Sequence, residues 1–251
     1  MIVLFVAVLG FSLVHTTSEA DSVDTERTRA AVEAAVQAQV RQITIMADDN
    51  AIWDDAATVV YGGLKDESFL WSSWGISTAE AKNYDTALIL DHEGQPLLGY
   101  YRGRAARFDP AARYGDPFNI LLERAKRQKQ AVGGIAGSPE GPVLISLANI
   151  VPTNGAIDGI VPKSGPYWLV FTKPFGQDTA DWIGRSLLLN DMKLSSRAIG
   201  EASIAVRDTA ARPIANLSWE PAHPGEKALE RSLPWIAVVT FLYLFIGALV
   251  G

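Results

Sequence analysis

Val32, Val36, Val40, Ile43 and Ala47 recur at steps of four and three, the spacing of one buried helical face. Glu33, Gln37 and Arg41 fall on a neighbouring polar stripe whose i,i+4 spacing suits exposure. Neither Pro nor Gly interrupts the stretch before Gly62-Gly63, so the pattern predicts one helix from about Asp21 to Tyr61, roughly 60 Å long. Continued by three and four, the apolar stripe lands on Asn50 and then Asp54. An unpaired buried carboxylate is expensive, so Asp54 must find donors. Two readings stand open. Asn50 and Asp54 tie the helix to loop amides with Trp53 as core packing, or they floor a ligand pocket with aromatic walls.

Beyond the helix, Gly62 to Lys82 reads as a turn-rich connector, with Trp71 and Trp74 as core or pocket wall. The period then changes. Tyr84 to Leu90 reads as a buried strand, Asp91-His92-Glu93-Gly94 as a hairpin turn, and Gln95 to Tyr101 as the returning strand. His92 in that tip reads as solvated turn chemistry rather than a metal or acid–base cluster. Asp116-Pro117 opens a helix through Gln130, with Phe118, Leu121, Leu122 and Ala125 inward and a basic outer face. Pro142 to Pro152 and Pro166 to Phe175 are predicted strands, and Ala180 to Met192 a helix. Glu201 to Arg207 and Pro213 to Trp219 form a last hairpin around 208–211.

Both ends are apolar. Leu233 to Gly251 holds no charged side chain and is long enough to cross a bilayer as a helix. Ser232 is placed to cap it, Pro234 falls in its first turn, and Trp235 and Tyr243 suit membrane interfaces. The chain stops inside this helix, so an output domain beyond it is expected to be missing. Ile2 to Val14 are apolar except Ser12 and too few to span alone. They read as a trimmed membrane helix or as a signal peptide with Ser18-Glu19-Ala20 as its cleavage site. The expected organisation is a truncated membrane helix at 1–16, a domain outside the cytoplasm at 17–232 and a second membrane helix at 233–251.

Composition narrows the function. There is no cysteine, which excludes disulfides, thiolate metal sites and thiol nucleophiles. The net charge of −6, from 22 basic and 28 acidic residues, argues against a nucleic-acid partner. His15, His92 and His223 are scattered, and no nucleophile elbow, His-Glu-x-x-His or P-loop occurs, so no catalytic residue, metal site or cofactor is expected.

A long helix, a hairpin, a helix and further antiparallel strands describe an α+β fold, the arrangement of PAS-like and Cache-like sensor domains, flanked here by transmembrane helices. Asn50-Ala51-Ile52-Trp53-Asp54-Asp55, ending a membrane-proximal helix, resembles the signature of the fourth class of CHASE domains, extracytoplasmic sensors of bacterial receptors. Tyr84-Asp85 opening a strand, Arg212-Pro213-Ile214-Ala215, and Trp219 to Gly225 before a membrane helix resemble it too. The sequence departs from that pattern at Ala56-Ala57-Thr58, where an aromatic is common, with Tyr61 as a late substitute. The resemblance implies a periplasmic input module in a bacterial inner-membrane receptor. In such receptors the second membrane helix leads to a cyclic-di-GMP cyclase or phosphodiesterase. The expected partners are a small-molecule ligand, the membrane and a second copy bound through the N-terminal helix. Asn50, Trp53, Asp54 and Asp55 are the candidate ligand contacts, with Trp74 and Tyr100. The alternative is a membrane-tethered structural or partner-binding domain without a ligand.

Overall fold

The computed structural model describes residues 2–81, 83–153 and 159–250, with the side chains at 2–9, 243, 244 and 246–250 outside the described set. Helix α1 runs Ile2–Ala51, and α2 runs Asp54–Tyr61. The predicted stripe is the core of α1: Val32, Val36, Val40, Ile43 and Ala47 are all buried. It continues to Ala51 rather than Asn50, which is only half-buried.

The connector after Gly62 is helical where turns were expected. It holds α3 (Glu67–Leu70), a π-helical turn (Trp71–Gly75) and α4 (Ile76–Glu80). The Asp66 carboxylate starts this segment by accepting the Phe69 amide at 2.9 Å.

Six antiparallel strands form the main sheet in the order β3-β2-β1-β6-β5-β4. They are β1 (Thr86–Leu90), β2 (Pro96–Tyr101), β3 (Arg104–Ala105), β4 (Val132–Ser138), β5 (Gly141–Asn149) and β6 (Trp168–Pro174). Side chains alternate between two cores. Ala87, Ile89, Leu144, Leu169 and Phe171 face α1, while Leu88, Leu90, Ile145, Leu147 and Val170 face α6 (Asp116–Gln128) beside α5 (Pro110–Tyr114). Both faces are covered, which is why β1, β5 and β6 read as near-continuous apolar runs.

β4 had no strand signal because it contains Gly133, Gly134 and Gly137. Those glycines are needed: a Cβ at Gly133 would strike Thr44 of α1, and one at Gly134 would strike Thr209.

The last third departs more. Helix α7 is Gln177–Leu187, and the expected end of that helix is instead strand β7 (Asn190–Ser195). β7 joins β8 (Ala202–Arg207) and β9 (Pro213–Glu220) in a separate sheet, order β7-β9-β8. Its hairpin turn is fixed by buried Asp208, which accepts from Arg212 N and Nε at 2.8 and 2.9 Å, and it docks on β4 where Thr209 N donates to Ile135 O at 2.8 Å.

Helix α8 begins at Pro224 and runs to Val250, so Pro234 lies inside it rather than in its first turn. Ser232 is not its cap; its hydroxyl donates to Ala228 O at 2.8 Å. The cap comes from α1, whose Asp21 carboxylate accepts the Gly225 and Glu226 amides at 2.6 and 3.2 Å. Among the described residues, no helix is long and apolar enough to cross a membrane. Much of the two expected membrane segments, Tyr243 included, lies outside the described side chains.

Phe171, fully buried and stacked on Tyr84 with ring centroids 3.8 Å apart, is a keystone of the α1-facing core. Phe171→Ala is expected to cost roughly 3–5 kcal/mol of unfolding free energy, read by urea denaturation.

Candidate functional site

The long helix does not reach Tyr61 unbroken, because backbone partners from the distant segment just after β5 win at its end. Ile52 forms a parallel bridge with Val151, Trp53 N donates to Val151 O at 3.1 Å, and Val151 N donates to Ala51 O at 3.2 Å. Trp53 is accordingly extended, with φ −158° and ψ 129°. The Asp54 carboxylate accepts the Thr153 amide at 2.7 Å, and the Thr153 hydroxyl donates to Ile52 O at 3.3 Å. Asp54 thus ties the helix break to loop backbone, the first of the two open readings. Asn50 Nδ2 donates to Met46 O in its own helix at 2.9 Å, while Trp53 is 39 % exposed and packs on Phe69 at 5.0 Å between ring centroids. Asp55 is exposed.

Trp74 and Tyr100 lie apart from that cluster, in the α1-facing core. Trp71 meets Tyr100 edge-on at 5.5 Å. The structure therefore brings Trp53, Asp54 and Asn50 to one chain break and places the two aromatics in the α1-facing core, where Trp74 Nε1 is buried without a hydrogen-bond partner.

Tyr61 was only a stand-in by sequence, yet it holds two strand ends. Its hydroxyl donates to Ile150 O at 2.7 Å and accepts the Tyr167 amide at 2.9 Å. Burial pushes its pKa up to about 12, against the lowering effect of the Tyr167 amide bond.

Directly beyond these ends opens a groove of about 760 Å³, within the size range of small-molecule sites. Asp48 of α1 and Ile52 just beyond its end line it, with His92 and Glu93 of the β1–β2 turn, Lys126 of α6 and Lys129 just after that helix. The Asp48 carboxyl is raised above its usual range by burial and by neighbouring Asp49. Asn149 and Trp168, register partners on β5 and β6, also line the groove. Asn149 Oδ1 and Trp168 Nε1 are buried and have no hydrogen-bond partner. None of the six sequence candidates lines this groove. The sequence offered little to find it: Trp168 reads as a core aromatic and Asn149 as the end of a strand. His92, half-buried at the groove, is less a solvated turn residue than expected.

A second polar cluster closes the other end of the sheet. Buried Asp85 accepts the hydroxyls of Thr86 and Thr172 at 3.0 and 3.2 Å and lies 3.5 Å from Arg102 Nε. Beside it, burial raises the Tyr114 hydroxyl, opposed by a hydrogen bond with Thr172 and by Arg113. The cavity there is about 70 Å³ and its polar groups pair with one another, so this cluster braces the sheet. Among the described residues there is no group of three His, Asp or Glu placed to hold a metal.

The family model described as the CHASE4 domain matches residues 35–195. The chain is also similar to the crystal structure of the periplasmic domain of Vibrio cholerae LuxQ, at 12 % identity and a TM-score of 0.45, over 78 % of this chain and 99 % of that one. A second structure of the same LuxQ domain gives 13 % identity and 0.43 over 78 % and 98 %. No curated protein sequence matches.

Asp54→Ala is expected to leave the fold intact and lower stability by about 1–2 kcal/mol in urea melts, the loss of a charge-assisted bond; unchanged stability would sink the latch role. Tyr61→Phe leaves Ile150 O and the Tyr167 amide short of a partner, at a cost of roughly 1–3 kcal/mol near neutral pH. Because the fold favours the neutral phenol, that contribution is complete below pH 10 and lost as pH rises through about 12. Alkaline denaturation followed by circular dichroism should show a smaller stability loss across that window in Tyr61→Phe than in the wild type.

Proposed function

The chain belongs to the CHASE4 domain family, extracytoplasmic sensors rather than catalysts, and we propose that it is the ligand-sensing input domain of a bacterial transmembrane receptor. The groove is the ligand site, and α8 carries the outcome toward the membrane. The apolar ends of α1 and α8 anchor the domain in the inner membrane. The output is a cyclic-di-GMP cyclase or phosphodiesterase, and the receptor works as a homodimer through α1.

One observation carries this reading: the first and last helices are locked side by side. Asp21 of α1 caps the start of α8, and a Cβ on Gly225 would collide with the Thr17 carbonyl oxygen. The groove is lined by Asp48 and Ile52 at one end of α1, and the clasp sits nearer the other. A ligand that shifts α1 therefore shifts α8, within the 1–2 Å scale of known helix displacements. It does so only to the extent that it binds the two helix positions with different affinity.

Asp21→Ala removes the cap, and Gly225→Ala forces the helices apart. In cells carrying the intact receptor, both are expected to change the cyclic-di-GMP level severalfold with the protein still in the membrane. A level equal to wild type in both variants would overturn the transmission role.

A further inference from the structure

Helix α1 carries a second stripe, on the face turned away from both cores. Val23, Arg27, Ala30, Ala34, Arg41 and Ile45 follow one another at steps of three, four and seven, which at about 100° per residue holds them within one narrow arc. The buried stripe from Val32 to Ala47 lies roughly 150° round the helix from that arc. All six residues are exposed, Val23 by 52 % and Ile45 by 61 %. Among the described residues, no part of α1 before Val32 enters either core.

The make-up of this stripe does not suit a face that meets only water. The chain is acidic, with a net charge of −6, yet no Asp or Glu falls on the stripe from Val23 to Ile45. A solvated helix face carries charges of both signs, whereas apolar positions three and four apart are how one helix packs on another. The acids stand beside the stripe, at Glu26 and Glu33. None of the ion pairs among the described residues uses Arg27 or Glu26. In a parallel helix pair, a side chain on the seam packs against the residue one place earlier on the facing helix. Two copies of α1 therefore set Arg27 of each beside Glu26 of the other. An open groove of about 770 Å³ lies along the same face, lined by Val23 and Arg27 and by Pro224 at the start of α8.

We infer that this outer face of α1 is the surface on which a second copy of the chain docks, α1 on α1 in parallel. Ala30 and Ala34 stand at the closest approach, where their size lets the backbones come together, and Arg27 of each copy pairs with Glu26 of the other. A face that matches itself is what twofold pairing requires. The inference rests on the receptor reading above, in which both copies stand in one membrane and their helices run parallel, and it adds the face and the register. Its test reads assembly alone, so pairing and signalling output can fail independently.

The chain has no cysteine, so single cysteines report the face directly. The test places Val23→Cys, Ala30→Cys and Ala34→Cys on the stripe, with Arg29→Cys and Gln42→Cys as exposed controls about a quarter turn or more away from it. The full chain in lipid vesicles is oxidised and run on a non-reducing gel. The three stripe variants are expected to give roughly fivefold more disulfide-linked dimer than the two controls, because a bridge needs Cα atoms within about 7 Å of each other. Arg27→Glu in the Ala30→Cys background should cut that dimer severalfold, and adding Glu26→Arg should restore it. None of these side chains belongs to a core, so the melting midpoints should match the wild type and a lost dimer cannot be put down to unfolding. The inference is overturned if all five positions crosslink equally, if Arg29→Cys or Gln42→Cys exceeds the stripe, or if no dimer forms at any of them. Failure of Glu26→Arg to restore the dimer overturns the register.

Discussion

The buried stripe of α1 is the constraint on which the domain depends. Val32, Val36, Val40, Ile43, Ala47 and Ala51 pack in one core with strands of the main sheet and with Ala202, Ile204, Leu217 and Trp219 of the smaller one. Neither sheet could cover its inner face without that helix, and the helix could not bury its stripe without both sheets. Burial of apolar area at roughly 25 cal/mol per Å² makes this shared surface the main term holding the two halves together. Small residues set the closeness of the fit: Gly133 admits Thr44, and Ala47 and Ala51 let α1 approach the ends of the strands.

Pattern made α1, α6, β1, β2, β5, β6 and the β8–β9 hairpin legible: α1 and α6 repeat their buried positions at the helical period, while β1, β5 and β6 are short unbroken apolar runs bounded by turn residues. What escaped the sequence depended on partners far along the chain. The break at Ile52 exists because Val151 supplies bonds that compete with the next helical turn, and nothing in 50–55 announces Val151. β4 carries three glycines, a poor strand by propensity that is held by close approach on both faces. β7 is largely polar, with Met192 its one buried residue, and is a strand because β9 pairs with it. The start of α8 was misplaced for the same reason. Its cap, Asp21, lies on the first helix.

The candidate site was legible in location and not in composition. The polar interruption at Asn50 and Asp54 marked the place where the helix ends and the groove begins, since Ile52 belongs to both. The side chains that drew attention there are occupied with backbone: Asn50 with Met46, Asp54 with Thr153. Burying a carboxylate is tolerable when amides point at it, so a polar residue on an apolar stripe signalled a latch before it signalled a ligand. The unpaired groups at the groove, Asn149 and Trp168, come from strand ends whose pairing only the sheet register reveals.

On the proposed reading, the same packing limits how the domain can respond. Two close approaches, Gly133 on Thr44 and Gly225 on Thr17, leave no room for α1 to move nearer β4 or α8. Packed cores switch between discrete arrangements rather than deforming smoothly, because close packing transmits strain. α1 is therefore restricted to sliding along its axis or separating from its neighbours. Separation would uncover the shared apolar stripe and break the Asp21 cap, at a cost in both burial and hydrogen bonding. Sliding must re-register the bridge between Ile52 and Val151 together with the Asp54–Thr153 latch beside it, and that bridge is an isolated pair with solvent-exposed Thr153 and half-buried Asp54 next to it. The least costly coordinate for a ligand in the groove to act on is thus the axial position of α1 at its broken end, and α8 is tied to the other.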